Sequence, residues 1–213
     1  MSHWITHPHF VSFEGGEGAG KSTVITAAAE SLRTAGETVL LLREPGGTAV
    51  GEAVRAVLLN PELRGLCAES ELLLMMASRA QLVRERILPA LERGEWVLCD
   101  RFTDASFAYQ GGGRGIDSGR IAELERWVAG LKPGLSFLLD LPVETGLARA
   151  GSRAAPDRIE AESIAFFERV RASYRSRAAA EPQRWCVLDA SRPAEAVAAA
   201  VVQRLNIQRE VSR

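Results

Sequence analysis

Eight residues constrain this chain more than any others. Gly15 to Ser22 reads Gly-Gly-Glu-Gly-Ala-Gly-Lys-Ser and fits G-x-x-x-x-G-K-[ST], with Gly15, Gly20, Lys21 and Ser22 at the fixed positions. An apolar run, Phe10 to Phe13, precedes it and a helix-compatible stretch, Thr23 to Arg33, follows, which is the strand–loop–helix setting the motif needs. Glycines let successive N–H groups turn inward as a cradle for phosphate oxygens, and the helix N-terminus adds partial positive charge. Gly15, Gly16, Glu17, Gly18, Ala19 and Gly20 therefore form a candidate nucleoside triphosphate cradle. Lys21 can reach the terminal phosphates, and the Ser22 hydroxyl can ligand Mg2+.

Around this loop the pattern alternates. Strands are expected over His9–Glu14, Thr38–Leu42, Trp96–Cys99, Leu135–Leu141 and Trp185–Leu188. Helices are expected to Ala35, over Ala49–Leu59 and Glu69–Arg93 (kinked or bounded at Pro89), through Tyr109, and from an Asp117 or Ser118 cap to Val128. Glu144–Arg153, Ile159–Ala180 and Pro193–Leu205 complete the set, with Gly111 to Gly115 read as a loop and Pro133 and Gly134 as helix stops. Uniformly apolar strands between helices predict an α/β fold: a three-layer P-loop NTPase with a five-stranded parallel sheet flanked by helices. At 213 residues a single domain, 1–213, is expected.

Composition removes some partners. A net charge of −1 offers no global attraction to nucleic acid or anionic lipid. No apolar run approaches membrane-span length, and Met1 to Phe10 lacks the apolar stretch of a signal peptide. Three scattered cysteines, Cys67, Cys99 and Cys186, without C-x-x-C spacing, suit a reducing cytoplasm. His3 and His7 precede the expected first strand and His9 stands at its start, with no carboxylate or thiol partner nearby, so all three read as solvated.

Three further stretches narrow the class. Arg43-Glu44-Pro45-Gly46-Gly47-Thr48 follows strand two, Asp100-Arg101-Phe102 follows strand three, and Tyr109-Gln110-Gly111-Gly112-Gly113-Arg114-Gly115 closes the next helix. In this order and spacing the chain resembles the bacterial thymidylate kinases, P-loop nucleoside monophosphate kinases, from about Phe10 to the last helix. Physically, phosphoryl transfer needs two polyanions held in line, with cations flanking the gap and water excluded. Arg101, at a strand end beside the loop, suits an acceptor phosphate; Asp100 could orient Arg101, hold a water ligand of Mg2+, or be a buried structural carboxylate.

The resemblance implies more. ATP and dTMP are the substrates and Mg2+ the cofactor. Glu17 contacts the acceptor sugar 3′-hydroxyl; Arg79 and Gln110 line the thymine pocket with Ser106 beside it; Tyr109 presses on the sugar; Glu44 and Arg55 belong to the same cavity. Met75 stands where many members stack a Phe on thymine. A helical lid, approximately 142–160, carries Arg149, Arg153 and Arg158 as candidate catalytic cations, because no arginine lies between Glu17 and Lys21. A homodimer through long helices such as Glu69–Arg93 is also implied. The rival readings are another nucleotide kinase of this fold, a GTP-binding switch (the sequence has no N-K-x-D stretch) and a nucleic-acid ATPase (it has no basic stripe).

Overall fold

The computed structural model describes residues 5–63, 65–151 and 157–212. Five parallel strands, β1 (Ile5–Glu14), β2 (Val39–Arg43), β3 (Trp96–Asp100), β4 (Leu131–Asp140) and β5 (Trp185–Asp189), lie in the order β2-β3-β1-β4-β5. The central strand thus feeds the Gly15 loop. Both faces are covered, as apolar parallel strands require. Val11 and Phe13 point to α1 (Lys21–Thr34) and α9 (Ala194–Val211), where Val24, Leu32, Val201 and Leu205 complete the core. On the other face, Phe10 and Val97 meet Leu82, Ile87 and Phe102, while Leu138 meets Phe166, Phe167 and Tyr174 of α8 (Ile164–Ala180).

Several boundaries differ from the sequence reading for identifiable reasons. β1 and β4 each extend backward, pairing Ile5 with Leu131 and His7 with Pro133 before a register shift between His7 and Val11. Pro133 and Gly134 therefore lie within a strand irregularity instead of ending a helix. A Cβ at Gly134 would stand 2.6 Å from the His7 carbonyl oxygen, which explains the glycine. His7 and His9 accordingly sit in β1, half-buried, with His9 stacked on Trp96 at 4.6 Å; His3 lies outside the described residues.

The expected helix Glu69–Arg93 is interrupted: α3 (Ala68–Leu82) passes into a π-helical turn, Val83–Ile87, then α4 (Leu88–Glu92). Pro89 lacks the N–H for a regular helical bond, and the wide turn absorbs that loss. A second π-helical turn, Phe107–Gly113, follows α5 (Thr103–Ser106), so Gly111–Gly113 is helical and not a loop. Its glycines allow a close approach to α8: a Cβ on Gly113 would lie 2.4 Å from the Phe166 ring. The remaining elements are α2 (Ala49–Leu59), α6 (Ser118–Val128, capped by Asp117) and α7 (Val143–Gly151). α8 starts at Ile164, later than expected, because the Ser163 side chain caps it through the Phe166 N–H.

Candidate active site

The loop from Gly15 to Gly20 closes over the C-terminal edge of the sheet. Gly18 has φ +65°, and a Cβ there would come 2.1 Å from the Gly146 carbonyl oxygen on α7. In return, a Cβ on Gly146 would lie 2.4 Å from the Glu17 carbonyl oxygen. The loop and the first turn of α7 are thus in backbone contact. α1 begins at Lys21 behind Gly20, with no side chain capping its first N–H groups. Lys21 is buried, and its Nζ donates to the carbonyls of Gly15 (3.3 Å) and Gly16 (3.0 Å). Burial, then the neighbouring Arg101 guanidinium, lowers its pKa.

Two cavities meet at this edge. One, about 250 Å³, runs along Gly18 to Thr23 and is walled by Arg43, Asp100 and Arg101. The second, about 150 Å³, is lined by Met75, Ala105, Tyr109 and Gln110. Glu17, Glu44, Arg55 and Arg101 line both, so two ligands would abut across these four side chains. Beyond Gly20 and Thr23 a third cavity, about 350 Å³, is lined by Arg149 and Ala190 to Ala194.

Arg101 is the junction. It is the one non-glycine residue with positive φ (68°) among those described, a conformation that is strained for a side chain of its size. Its Nη2 donates to Glu17 Oε1 at 2.8 Å, Nη1 donates to the Gly15 carbonyl at 2.7 Å, and its guanidinium carbon lies 4.8 Å from the Tyr109 ring centre. Tyr109 Oη donates to the same Glu17 oxygen at 2.8 Å. Below them, buried Glu14 accepts from the Phe102 N–H and from Tyr174 Oη, both at 2.9 Å. Burial, then the Asp104 charge, raises the Glu14 carboxyl to about 7.

On the second cavity's far side the expected residues split into two layers. Met75, Tyr109, Gln110, Glu44 and Arg55 reach the wall, whereas Arg79 and Ser106 stand behind it, fully buried. Arg79 donates through Nε and Nη2 to Glu44 Oε2 (2.8 and 2.5 Å), through Nη1 to Ser106 Oγ (2.8 Å), and to Glu125. Arg55 Nη1 is held by the Pro45 carbonyl at 3.0 Å. With two buried carboxylates facing one guanidinium, burial pushes Glu125 up to about 8 against the pull of Arg79.

Asp100 Oδ1 is buried without a protein partner and lines the same cavity as Ser22. An orphaned carboxylate oxygen and a hydroxyl beside a phosphate cradle form the oxygen-rich setting that Mg2+ favours, with water completing its shell. These two residues fit the ion.

Of the arginines expected in a lid, the two described lie apart. Arg149 donates to the Ala190 carbonyl at 3.1 Å in the third cavity. Arg158 lies on the opposite side, its Nε on the Leu58 carbonyl and its Nη2 on Glu71, both at 2.7 Å. Neither lines the cavity around Lys21, and Arg153 lies outside the described residues. Sequence reasoning missed Glu14, Arg43, Glu71, Glu125 and Tyr174. A carboxylate closing an apolar strand is a usable signal for Glu14; Glu71 and Glu125 carry none, since acids on helices are ordinarily exposed.

The thymidylate kinase family model matches residues 13–201. The chain belongs to the thymidylate kinase family. It is 56% identical over 189 residues to the thymidylate kinase of Alcanivorax borkumensis, covering 88% of this chain and 91% of that relative. The thymidylate kinase of Methylococcus capsulatus is 52% identical over 203 residues, with 95% and 97% covered. The crystal structure of thymidylate kinase from Ehrlichia chaffeensis, 32% identical, matches with a TM-score of 0.76 over 95% of this chain and 99% of that one. The loop, the Asp100-Arg101 strand end and the Tyr109–Gly115 turn all fall within the family match.

Proposed function

We infer that this protein transfers the γ-phosphoryl group of ATP to dTMP, giving dTDP and ADP. The observation that carries this reading is the meeting of two cavities across Glu17, Glu44, Arg55 and Arg101, one of them built on a phosphate cradle. ATP lies along the Gly15 to Ser22 loop, its phosphates on loop N–H groups and the α1 N-terminus, with its base towards Arg149 and Ala190. The pyrimidine of dTMP enters between Met75, Tyr109 and Gln110, and its phosphate faces Arg101 and Arg55. Met75 supplies a thioether surface in place of an aromatic ring.

Catalysis is then positioning plus charge stabilisation. Arg101 turns the acceptor oxygen towards the γ-phosphorus, and the bond to the β–γ bridging oxygen breaks as ADP leaves. Lys21 exchanges its loop carbonyls for phosphate oxygens and meets the developing charge. Glu17, held by Arg101 and Tyr109, is placed to accept from the sugar 3′-hydroxyl, and the Tyr109 ring crowds the space of a 2′-hydroxyl. Mg2+, held by Ser22 and through water by Asp100, would neutralise phosphate charge. Arg149 or Arg153 of the lid segment supplies a further cation to the transferred group, and Arg158 keeps its anchoring contacts.

A homodimer is supported by exposed apolar side chains on packed neighbours: Val50 and Val57 on α2, Leu73 (56% exposed) on α3 and Trp127 (79%) on α6. No described helix is long and apolar enough to cross a membrane, and a cytoplasmic location suits ATP and reduced cysteines. The test is dTDP formation from dTMP and MgATP, with dCMP and AMP as competitors. Robust dTDP with little product from the competitors is expected; equal turnover of all monophosphates contradicts the thymine assignment.

A further inference from the structure

Gln110 presents an unusual end to the second cavity. The residue lines the cavity and is 1% exposed, and its buried Oε1 has no protein partner. Its Nε2 donates to Glu71 Oε1 at 2.9 Å. Glu71, also 1% exposed, accepts on every side: Arg114 Nε at 3.2 Å on the same oxygen, and Arg114 Nη2 (3.0 Å) and Arg158 Nη2 (2.7 Å) on the other. Burial raises the Glu71 carboxyl, but the bonds from Arg114, Gln110 and Arg158 outweigh it and hold the group below its ordinary value. A carboxylate in this state donates nothing.

The orientation of an amide is set by its neighbours. Were the Gln110 amide rotated by half a turn, its oxygen would face the Glu71 carboxylate at about hydrogen-bonding distance, acceptor against acceptor. We propose that Glu71 is a specificity-setting residue: by holding the Gln110 Nε2 it fixes a carbonyl acceptor in the base pocket, and so selects pyrimidines that carry N3–H. Thymine and uracil present that donor. Cytosine presents a lone pair at N3 and would leave the Gln110 oxygen buried and opposed, the situation in which polar sites discriminate most strongly. Glu71 touches no substrate; it acts through Gln110. The inference deepens the dTMP reading above and rests on it.

The experiment measures kcat/KM for dTMP, dUMP and dCMP in wild type, Glu71→Gln and Glu71→Asp. In Glu71→Gln the new amide can donate as well as accept, so the Gln110 amide gains a second orientation. Glu71→Asp keeps a charge for Arg114 and Arg158 but draws it back from Gln110, which serves if the first variant fails to fold. Either change is expected to narrow the dTMP-to-dCMP ratio about 10-fold or more, mainly through KM, with the dTMP-to-dUMP ratio unchanged. Equal losses on all three substrates in a folded variant, with ratios preserved, would mean that Glu71 only supports the fold and would overturn the proposal. A wild-type enzyme that forms no dTDP refutes the activity itself and the proposal with it, an outcome distinct from preserved ratios in an active enzyme.

Discussion

Arg101 Nη2 donates to Glu17 Oε1 at 2.8 Å, joining the cation at the end of β3 to the one acidic side chain of the phosphate loop. A negative charge inside an anion cradle is repulsive unless something faces it, and Arg101 with Tyr109 does so. Arg101→Ala is expected to raise KM for dTMP about 10-fold or more, with KM for ATP moving less than about 3-fold. Equal losses for both substrates would make Arg101 a support for the Gly15 carbonyl instead.

Lys21 donates to two loop carbonyls, those of Gly15 and Gly16. Its replacement by Ala removes the charge proposed to meet the transferred phosphoryl group, and kcat is expected to fall about 100-fold or more. Thermal melting, recorded alongside, should show a folded protein; an unchanged kcat would contradict the role.

Gly18 and Gly146 bring the loop and α7 into backbone contact. Gly18→Ala places a Cβ 2.1 Å from the Gly146 oxygen and forces φ +65° on an L side chain. A destabilisation of about 1–3 kcal/mol is expected from denaturant unfolding, together with weaker ATP binding. A variant with wild-type stability and ATP affinity would show that the two segments are free to separate.

Much of this architecture was legible in advance, because a P-loop after an apolar strand restricts the sheet centre and apolar strands between helices imply both layers. The polar ends of β1, β2 and β3 then had to converge at one edge. The errors came where close packing overrode local propensity. Gly111–Gly113 looks like a loop but makes a π-helical turn against Phe166, and Pro133 and Gly134 look like stops but sit in β4. Periodicity also could not show that Arg79 lies behind the pocket wall, or that Glu71 and Glu125 are buried, since each takes its place through a partner distant in sequence.

The Arg79 cluster carries a pH signature. Glu125, raised to about 8 from an ordinary value near 4.5, keeps a proton in the folded protein that the unfolded chain has lost. Its contribution to stability is present below about 4.5 and is lost as pH rises through about 8; Glu44, raised chiefly by burial, acts in the same direction. Glu125→Gln cannot ionise, so the fall in its Tm between about pH 5 and about pH 8.5 should be shallower than in wild type by about one proton's linkage. Parallel curves would place an ionised Glu125 in the fold throughout.

The central claim is that both cavities are filled together and the phosphoryl group crosses Arg101 directly. Initial rates with ATP and dTMP each varied at several fixed levels of the other test this most directly. The structure predicts double-reciprocal lines that intersect, with dTDP as the phosphorylated product. Parallel lines, the mark of a phosphorylated enzyme intermediate, would contradict it.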